Sequence, residues 1–459
     1  MAPVIHWFRR DLRLTDNTAL HHAAEAGSVI PAYVLSTWKR EHGWTGPLRQ
    51  SFLCGCLQSL AANLEHLHSR LIIRAGDAVA ELEKLAVETR AAAIFFNRDP
   101  DPFGKATEVR VRAMCGRLGI RCESFKDTVL HDPDEVLTGE GQPYRVFTPY
   151  SKNWLGLPKA GPLPRPSVLG PAPKVASLPL PAPAYWQLEP VNDPCFPLPG
   201  ERAARGRMKH FVDDGILAGY AMHRDEPHGQ STSMLSQDLR FGLISIRELF
   251  QRTQRHAKFV QELAWREFYM AILHHWPEVL DHEFNPQWRG MAWPGTNEHF
   301  TRWREGRTGF PIVDAGMRQL LTTGLMHNRV RMIVAMFLTK DLHCDWRWGE
   351  QFFHQHLVDA EIASNNGGWQ WSAGTGADAA PYFRIQNPWS QTRRYDPEAR
   401  YIKHWLPELR HVPVESLVSP PSHGGSIAAG YPPPMVDHAV ERERTLALFA
   451  QHRARHGRA

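Results

Sequence analysis

Residues 244–276 read ISIRELFQRTQRHAKFVQELAWREFYMAILHHW, and apolar side chains recur along them at intervals of three and four. This spacing is the period of an amphipathic α-helix. The same period returns in RMKHFVDDGILAGYAM (207–222) and in IVDAGMRQLLTTGLMHNRVRMIVAMFLTKDL (312–342). From about Glu201 onward the chain is therefore predicted to form an all-helical domain. A Pro/Ser/Gly-rich tail and a last basic helix follow from Pro413.

The first 130 residues carry a different pattern, in which short apolar runs alternate with helical stretches such as residues 48–71 and those after Asp77. The apolar runs predict five buried strands: PVIHWF (3–8), SVIPAYVLS (28–36), LIIRAG (71–76), AAAIFFN (91–97) and IRCESF (120–125). Strands that alternate with helices favour an α/β doubly wound domain with a parallel sheet. No GxGxxG follows the first strand, so the usual dinucleotide fingerprint is missing. A ligand of this domain is expected at the carboxyl ends of the strands, where open α/β sheets bind their ligands.

A proline-rich stretch separates the two patterns. Between Pro158 and Pro199 lie 13 of the chain's 36 prolines. Proline fixes φ and lacks an N–H donor, so this stretch is expected to form neither regular helix nor central strand. The predicted organisation is an α/β domain over 1–130, a long connector over 131–205 and a helical domain over 206–459.

Composition excludes several classes of protein. A hydrophobic fraction of 42% is enough for ordinary cores, so wholesale disorder is excluded. The sequence has no run of 18 apolar residues, and its arginine-rich start is unlike a signal peptide, so a protein of the cytoplasm is expected. Six cysteines without a CxxC pair fit a reducing compartment. A net charge of +5 permits a nucleic-acid partner and does not require one.

Tryptophan is the unusual residue. The chain has 16, and 11 of them lie between Trp265 and Trp405. A large aromatic core is the ordinary interpretation of this count, and it is favoured on the count alone. Stacking on a planar ligand and electron transfer are the alternatives.

Two polar segments are candidates for ligand binding. Thr232, Ser233 and Ser236 are hydroxyl residues at a predicted helix start, which suits a phosphate; an ordinary N-cap is the favoured interpretation of the residues alone. Residues 364–383, SNNGGWQWSAGTGADAAPYF, combine paired Asn, paired Gly and small residues. Such residues are poor helix formers, so a loop that contacts a flat ligand or supports a Trp-rich core is predicted.

Two helical segments carry further candidates. Glu262 and Trp265 are one turn apart, and a carboxylate beside an indole can bind a nucleobase. An internal ion pair with a core tryptophan is the equally weighted alternative. In MHNRVRM (326–332), Arg331 is a possible partner of a buried acid such as Asp359, while a solvated basic face is the simpler interpretation.

A long ordered series of segments resembles the cryptochrome/photolyase family and covers nearly the whole chain. The segments are HWFRRDLRLTDNTAL, PYRVFTPYSKNWL, YAMHRD, TSMLS, ELAWREFY, TGFPIVDAGMRQL, MHNRVRM, DAEIASNNGGWQWSAGTGADAAPYF and RYDPEARYIKHWLPEL. Within the family the sequence is most similar to microbial class I enzymes that repair cyclobutane pyrimidine dimers in DNA.

The resemblance implies an FAD held in a U-shape by the helical domain, with the first 130 residues as an antenna domain. It assigns cofactor contacts to the phosphate loop and its preceding tyrosine, to an Arg–Asp pair and to the residue that faces flavin N5. The matching residues are Tyr220, Thr232, Ser233, Met234, Leu235, Ser236, Phe259, Glu262, Arg266, Arg331, Asp359, Ala360, Glu361 and Asn365.

The resemblance also implies an electron chain and a substrate pocket. Trp369, Trp346 and Trp293 fall at the spacings of the family's proximal-to-distal electron chain, and Glu262 and Asn365 join them as catalytic candidates. The residues that match contacts to the flipped dimer and to DNA are Arg224, Glu262, Trp265, Tyr269, Asn328, Arg329, Met332, Trp371 and Gln391. Photolyases are among the enzymes known to extrude their target base.

Departures from the family pattern affect the cofactor surroundings. Glu361 stands where Asp is common, Phe259 where some relatives have Trp, and Gln237 where Pro is frequent. The stretch RDPDPFGKATE (98–108) matches the family's folate contacts only roughly, and Leu280 stands near the position of the usual lysine. Methenyltetrahydrofolate, a deazaflavin or no antenna all remain open.

The expected function is repair of pyrimidine dimers by an electron from light-excited reduced FAD, by a monomer that acts on DNA and needs no metal. A cryptochrome-like blue-light photoreceptor and a (6-4) photolyase are the alternatives within the family. The full dimer pocket disfavours the first, and the absence of a His pair at the expected places disfavours the second. A DNA-binding module with structural tryptophans and no enzymatic activity is the alternative from another class.

Overall fold

The computed structural model describes residues 2–40, 42–171, 173–191, 193–229, 231–421 and 424–456. The chain packs into two compact units. The first unit comprises residues 1–192, 197–218 and 233–277, and the second comprises 193–196, 219–232 and 278–459. The functional division at residues 130 and 205 stays a prediction from sequence.

The first unit is built on a five-stranded sheet. Its strands are β1 (Pro3–Trp7), β2 (Ser28–Leu35), β3 (Ile72–Ala75), β4 (Ala93–Asn97) and β5 (Arg121–Phe125). Their order is β3-β2-β1-β4-β5, and all four pairings are parallel. The five predicted strands and the doubly wound α/β class are therefore confirmed.

Helices surround this sheet and extend the first unit. Their bounds are α1 (Thr18–Ala26), α2 (Pro47–Glu65), α3 (Ala78–Thr89), α4 (Pro102–Leu118), α5 (Phe147–Gly156), α6 (Glu201–Asp213), α7 (Ile216–His223, of which residues 219–223 belong to the second unit), α8 (Ser236–Arg240), α9 (Ile246–Thr253) and α10 (Ala257–His275). Capping explains several starts. The side chain of Asn17 accepts from the N–H of Leu20 at the start of α1, and Asp101 accepts from Gly104 at the start of α4.

The second unit is helical in its described residues. It contains α11 (Asn297–Arg304), α12 (Pro311–Thr323), α13 (Asn328–Met336), a π-helix (Phe337–Asp341), α14 (Trp346–His356), α15 (Ile362–Ala373), α16 (Pro388–Tyr395), α17 (Arg400–Trp405), α18 (Val414–Leu417) and α19 (His438–His456). This confirms the predicted helical part of the chain, including the final basic helix. Across the described ranges, no helix is both long and apolar enough to cross a bilayer.

The proline-rich stretch has the predicted character. In the described residues from 158 to 199, the regular structure is a single 3₁₀ turn, Pro183–Trp186. The other 3₁₀ turns are Pro133–Glu135, Pro277–Leu280, Pro286–Trp288 and Pro407–Leu409. Proline at the start of each turn fits its fixed φ and its missing donor.

The loop predicted for residues 364–383 is wrong over its first ten residues. α15 runs through Asn365, both glycines and both tryptophans, with Glu361 as its N-cap and Gly374 in the left-handed conformation at its end. Intrinsic propensity is a weak determinant when tertiary packing opposes it. Here the buried indole of Trp369 and the satisfied amides of the helix supply that packing.

A buried ionic network joins the start of the chain to α9 within the first unit. Both carboxylate oxygens of Asp127 accept from Nη2 of Arg13, at 2.8 and 2.7 Å, and Arg247 Nη2 donates to Asp127 at 2.8 Å. Arg247 also bonds both oxygens of Asp16 at 3.1 Å through Nε. Burial alone would raise the pKa of Asp127, but the two guanidinium groups lower it below its usual value.

We predict that Asp127→Asn destabilises the protein by about 3–5 kcal/mol, because it leaves the buried guanidinium of Arg13 without its carboxylate partner, while Arg247 keeps only Asp16. Urea unfolding of the two proteins measures the loss. Glu83→Gln is the control, since its pair with Arg117 is exposed and such pairs contribute about 0–1 kcal/mol.

The Asp127 contribution also depends on pH. The pKa of Asp127 is lower in the folded than in the unfolded state, so its stabilisation is complete above the unfolded carboxyl pKa. It is lost as the pH falls toward the folded value. An Asp127→Asn loss that is equally large at acidic and neutral pH would contradict the ionic origin.

Candidate functional site

The predicted site residues fall in both units, and those of the first unit lie mainly on α10. Glu262, Trp265 and Tyr269 follow one another at helical spacing, so they share a face as predicted. The Trp265 indole stacks on Phe147 of α5, with ring centroids 3.7 Å apart and planes inclined by 8°. The ring of Tyr269 lies 5.5 Å from Trp265. A half-buried aromatic surface with a fixed orientation is therefore available on α10.

Contacts on the other side of α10 hold this face in place. The buried carboxylate of Glu267 accepts from Trp154 Nε1 at 2.7 Å and from the backbone N–H of His131 at 3.2 Å. Arg266, a predicted cofactor residue, donates to the carbonyl of Thr128 at 2.9 Å. Phe259, also predicted to contact the cofactor, is buried against Phe211 with centroids 4.8 Å apart.

Glu262 has a different neighbour. Its carboxylate lies 3.6 Å from Lys258 Nζ one turn earlier, and 28% of its side chain is exposed. This pair corresponds to the alternative that the sequence left open, an ion pair within the segment. A solvent-accessible carboxylate next to Trp265 can still accept hydrogen bonds from a base edge.

The hydroxyl segment departs from the favoured interpretation. The N-cap of α8 is Leu235, with no side-chain hydrogen bond, so an ordinary Ser/Thr cap is wrong. Met234 adopts φ 51°, a left-handed conformation that is strained for a side chain of this kind. Buried Gln237 holds the loop by donating to the Met234 carbonyl at 2.7 Å. Ser236 is exposed, while Thr232 and Ser233 are half-buried.

A buried ion pair lies at the start of α8, directly after this loop. Asp238 is fully buried and bonds Arg207 through both oxygens, at 2.6 and 2.9 Å. Burial raises the pKa of Asp238 to about 6, although Arg207 opposes the shift. Buried hydrogen bonds of Gln237 and Asp238 therefore hold this segment in place.

In the second unit, Arg331 and Asp359 form the predicted pair, with Nη2 2.8 Å from Oδ2. Arg331 Nε also donates to the Met326 carbonyl at 2.7 Å. Among the described residues, the buried Oδ1 of Asp359 has no hydrogen-bond partner. An unsatisfied buried acceptor is costly, so a ligand donor is expected to complete it. A flavin ring edge, which carries an N–H group, fits this requirement.

Residues after Asp359 lead into α15. Ala360 is buried, and the carboxylate of Glu361 caps the helix by accepting from the N–H of Ser364 at 2.9 Å. The side-chain amide of Asn365 donates to the Glu350 carbonyl at 2.9 Å. This bond orients the amide, so its oxygen is presented as an acceptor.

Glu350 itself is an unusual acid at this site. Burial raises its pKa to about 7, and Asn366 Nδ2 bonds its Oε1 at 3.0 Å. A carboxyl group that titrates near neutral pH therefore lies next to the backbone group that orients Asn365.

The proximal tryptophan of the predicted electron chain packs on a glycine of α14. A Cβ added to Gly349 would lie 2.1 Å from the Trp369 ring, so this ring packs directly on the backbone of α14. Trp346 is three residues before Gly349 and on the same face of α14. Both indoles belong to one buried core cluster, and Trp293 packs against that cluster. Trp371 is two residues from Trp369, half-buried and on the opposite side of α15.

The predicted DNA contacts of the second unit lie near one another. Arg329 pairs with Asp225 at 2.9 Å and covers the Tyr395 ring at 4.4 Å. Gln391 is one turn before Tyr395 on α16. Arg224 covers the ring of buried Tyr220 at 5.4 Å.

Asn328 and Met332 are one turn apart on α13. Asn328 is exposed and Met332 is half-buried. The Asn328 side-chain nitrogen lies 4.0 Å from the Met332 sulfur. The two side chains thus form one surface, as the pocket prediction requires.

The carboxyl ends of the sheet, where a ligand was expected, carry ion pairs. Arg9 lies 2.6 Å from Glu108, and Arg10 lies 2.9 Å from Asp99 and 3.5 Å from Asp101. Three of these residues belong to the segment that only roughly matches the folate contacts. The identity of an antenna stays a prediction.

One group of described residues has the composition of a metal site. The carboxylate of Asp134 lies 3.2 Å from His274 Nε2 and 4.0 Å from His275 Nε2. The Lys105 ammonium contacts His274 Nδ1. Since this lysine already supplies a positive charge, we assign the group to an ion-pair cluster.

Sequence reasoning missed several residues of this site. Phe147, which supports Trp265, and Asp225, which pairs with Arg329, lie far from their partners in sequence and carry no local signal. Gly349 was detectable in principle, because a glycine inside a helix of large side chains indicates a close approach.

Comparison with known proteins gives matches along the chain. The family described as DNA photolyase matches residues 4–167, and the FAD binding domain of DNA photolyase matches residues 259–451. A deoxyribodipyrimidine photo-lyase of Synechococcus sp. is 42% identical over 99% of this chain and 97% of its own.

Solved structures are also similar. A bacterial class III photolyase from Agrobacterium tumefaciens has a TM-score of 0.91 at 39% identity, covering 99% of this chain and 98% of its own. An archaeal photolyase from Sulfolobus tokodaii, described with two FAD molecules, has a TM-score of 0.87 at 32% identity, covering 98% and 100%. The narrower expectation of a class I enzyme stays a prediction.

We predict that Gly349→Ala destabilises the protein by about 1–3 kcal/mol, the usual cost of overpacking a core. The new methyl group must displace the Trp369 ring or the α14 backbone. Denaturant unfolding measures the effect. Gly206→Ala is the control, since its Cβ meets no atom within 4 Å and the change removes a helical glycine. That control is expected to be stabilising by about 0.5–1 kcal/mol, and an equal loss in both variants would contradict the contact.

Proposed function

This chain belongs to the DNA photolyase family, and from this premise we propose that it repairs cyclobutane pyrimidine dimers in DNA as a light-driven deoxyribodipyrimidine photo-lyase that uses FAD. When bound in its reduced form, FAD supplies the light-excited electron that splits the cyclobutane ring and then returns. The protein supplies binding, orientation and exclusion of water.

The observation that carries this proposal is the unsatisfied carboxylate oxygen of Asp359 in its pair with Arg331. Oδ1 of Asp359 is buried and has no hydrogen-bond partner within the described part of the chain, and Arg331 fixes the carboxylate and offsets its charge. An N–H of a flavin ring would satisfy this oxygen. Asn365, with its amide hydrogens directed to Glu350, offers its oxygen as a second acceptor toward the ring. Phe259, Arg266, Ala360 and Glu361 are further cofactor contacts that the family resemblance assigns.

By the family resemblance, the proposed phosphate contacts are Thr232, Ser233, Met234, Leu235 and Ser236, and Tyr220 is a further proposed cofactor contact. Gln237 fixes the Met234 carbonyl of this loop, and Asp238 is fixed by its pair with Arg207. The strained backbone at Met234 is the kind of feature that accompanies a binding loop.

By the family resemblance, the proposed contacts of the dimer are residues of α10, α13 and α15. Trp265, held by Phe147, and Trp371 would contact its apolar edges, and Glu262 and Asn328 its polar edges. Met332 and Tyr269 would complete the pocket. Arg224, Arg329 and Gln391 would contact the DNA near the lesion.

Trp369, Trp346 and Trp293 would carry electrons toward oxidised FAD and so return the cofactor to its active form. They are not required for ring splitting in this proposal. A second, antenna chromophore, a monomeric state and a cytoplasmic location are further parts of the proposal.

A direct test illuminates the reduced, FAD-loaded protein with an oligonucleotide that contains one thymine cyclobutane dimer. Restored thymine absorbance is the expected result. The same reaction with a (6-4) lesion is expected to give no repair, which separates the proposed activity from the (6-4) alternative. An inactive, fully loaded enzyme would favour a photoreceptor instead.

We also predict that Trp265→Ala weakens binding of dimer-containing DNA by about 1–3 kcal/mol, since this is the usual contribution of one stacked base. Equilibrium binding of a labelled oligonucleotide measures the effect. Trp276→Ala is the comparison on the same segment, because the sequence does not place Trp276 in the pocket. Unchanged affinity of the Trp265 variant would remove this residue from the pocket.

A further inference from the structure

The middle tryptophan of the proposed electron chain has a charged environment of its own. The Trp346 indole is fully buried, and its N–H donates to Glu283 Oε1 at 3.1 Å. The Glu283 side chain is only 2% exposed, so its charge is poorly screened by water. Among the described residues, the indole nitrogen of Trp293 is buried without a hydrogen-bond partner. The carboxylate therefore distinguishes Trp346 from the outer tryptophan.

Arg347 completes this environment. Its Nη2 lies 3.1 Å from the same Glu283 oxygen, and its guanidinium carbon lies 4.5 Å above the Trp346 ring. Arg347 also pairs with Asp345 at 3.1 Å and is 31% exposed, so its positive charge is shared and partly screened. The negative charge of Glu283 thus acts more strongly on the indole than the positive charge above the ring.

The position of Glu283 is tied to α15. The side chain of Gln370, between Trp369 and Trp371, accepts from the N–H of Phe284 at 2.8 Å. It also donates to the carbonyls of His282 at 3.2 Å and Val279 at 2.9 Å. The segment that carries Glu283 is therefore fixed to the helix that carries the proximal tryptophan.

We propose that Glu283 is a positioning residue that makes Trp346 easier to oxidise than Trp369 and so directs the first electron hop outward. This inference rests on the electron chain of the proposed function. Trp369 would give one electron to light-excited, oxidised FAD, the oxidant of the proposed function. One electron then passes from Trp346 to the oxidised indole of Trp369, which becomes neutral again, and Trp346 becomes a radical cation.

The carboxylate stabilises that radical cation through a charge-assisted hydrogen bond. In this proposal the proton stays on the indole nitrogen during the hop. A proton transfer to Glu283 would leave a neutral radical at Trp346 and trap the chain at its middle.

The test uses Glu283→Gln, which keeps an oxygen acceptor and removes the charge. Since charge-assisted hydrogen bonds are roughly twice as strong as neutral ones, we expect the equilibrium between the two oxidised tryptophans to shift toward Trp369 by about five- to tenfold. Flash photolysis of the oxidised, FAD-loaded protein measures this as a several-fold lower yield of long-lived separated charge. Glu278→Gln, whose exposed pair with Arg289 does not involve Trp346, is the matched control and is expected to match the parent protein.

Trp346→Phe separates failure of this inference from failure of the chain. A Trp346→Phe protein that keeps the full yield would overturn the proposed chain together with the role of Glu283. If Trp346→Phe abolishes the yield and Glu283→Gln leaves it unchanged, the chain stands and the role of Glu283 is overturned.

A second readout does not depend on flavin. In the NMR spectrum of tryptophan-labelled protein, Glu283→Gln is expected to shift the Trp346 indole N–H resonance to higher field. The indole of Trp303, which donates to the Val334 carbonyl at 3.0 Å, is the internal control and is expected to stay in place. An unshifted Trp346 resonance would contradict the hydrogen bond to the carboxylate.

Discussion

The contact between the Trp369 ring and the backbone of α14 at Gly349 is the constraint on which the second unit's site depends. Only a residue without a side chain allows an indole to lie there. The contact fixes α15 against α14, and α15 carries Asn365 and Trp371 as well as Trp369. One glycine thus sets the positions of a proposed flavin contact, a proposed dimer contact and the start of an electron path.

Much of the fold could be predicted because its signals are local. The five strands follow from short apolar runs, and the helices from the period of their apolar residues. The loop predicted from residue 364 failed because glycine and asparagine are poor helix formers in isolation, while the helix forms through contacts that lie elsewhere in the chain. Glu350, for example, bonds Asn366 across 16 residues.

The candidate site shows the same limit. The Arg331–Asp359 pair could be proposed from charge alone, and the structure places the two side chains together. The support of Trp265 by Phe147 could not be proposed, because 118 residues separate the two rings and neither segment has an unusual composition. The roles of individual residues came from the family resemblance, since no spacing in the sequence reveals that three distant tryptophans act together.

Charged side chains lie next to the aromatic and amide residues of the second unit's site. Glu283 accepts from the Trp346 indole and Arg347 lies over its ring. Glu350, an acid with a pKa of about 7, is the residue whose carbonyl accepts from Asn365. Burial makes the charge of Glu283 effective, because the protein interior screens it less than water, whereas Arg347 is partly exposed. The second unit therefore supplies position through packing, and in our proposal the buried carboxylate of Glu283 adds a redox preference.

The most direct test of this account is the flavin content of the protein purified from cells. The account predicts a yellow protein that releases one FAD per chain on denaturation, and an Asp359→Ala protein that folds but releases far less. A folded, colourless parent protein that takes up no added FAD would contradict it.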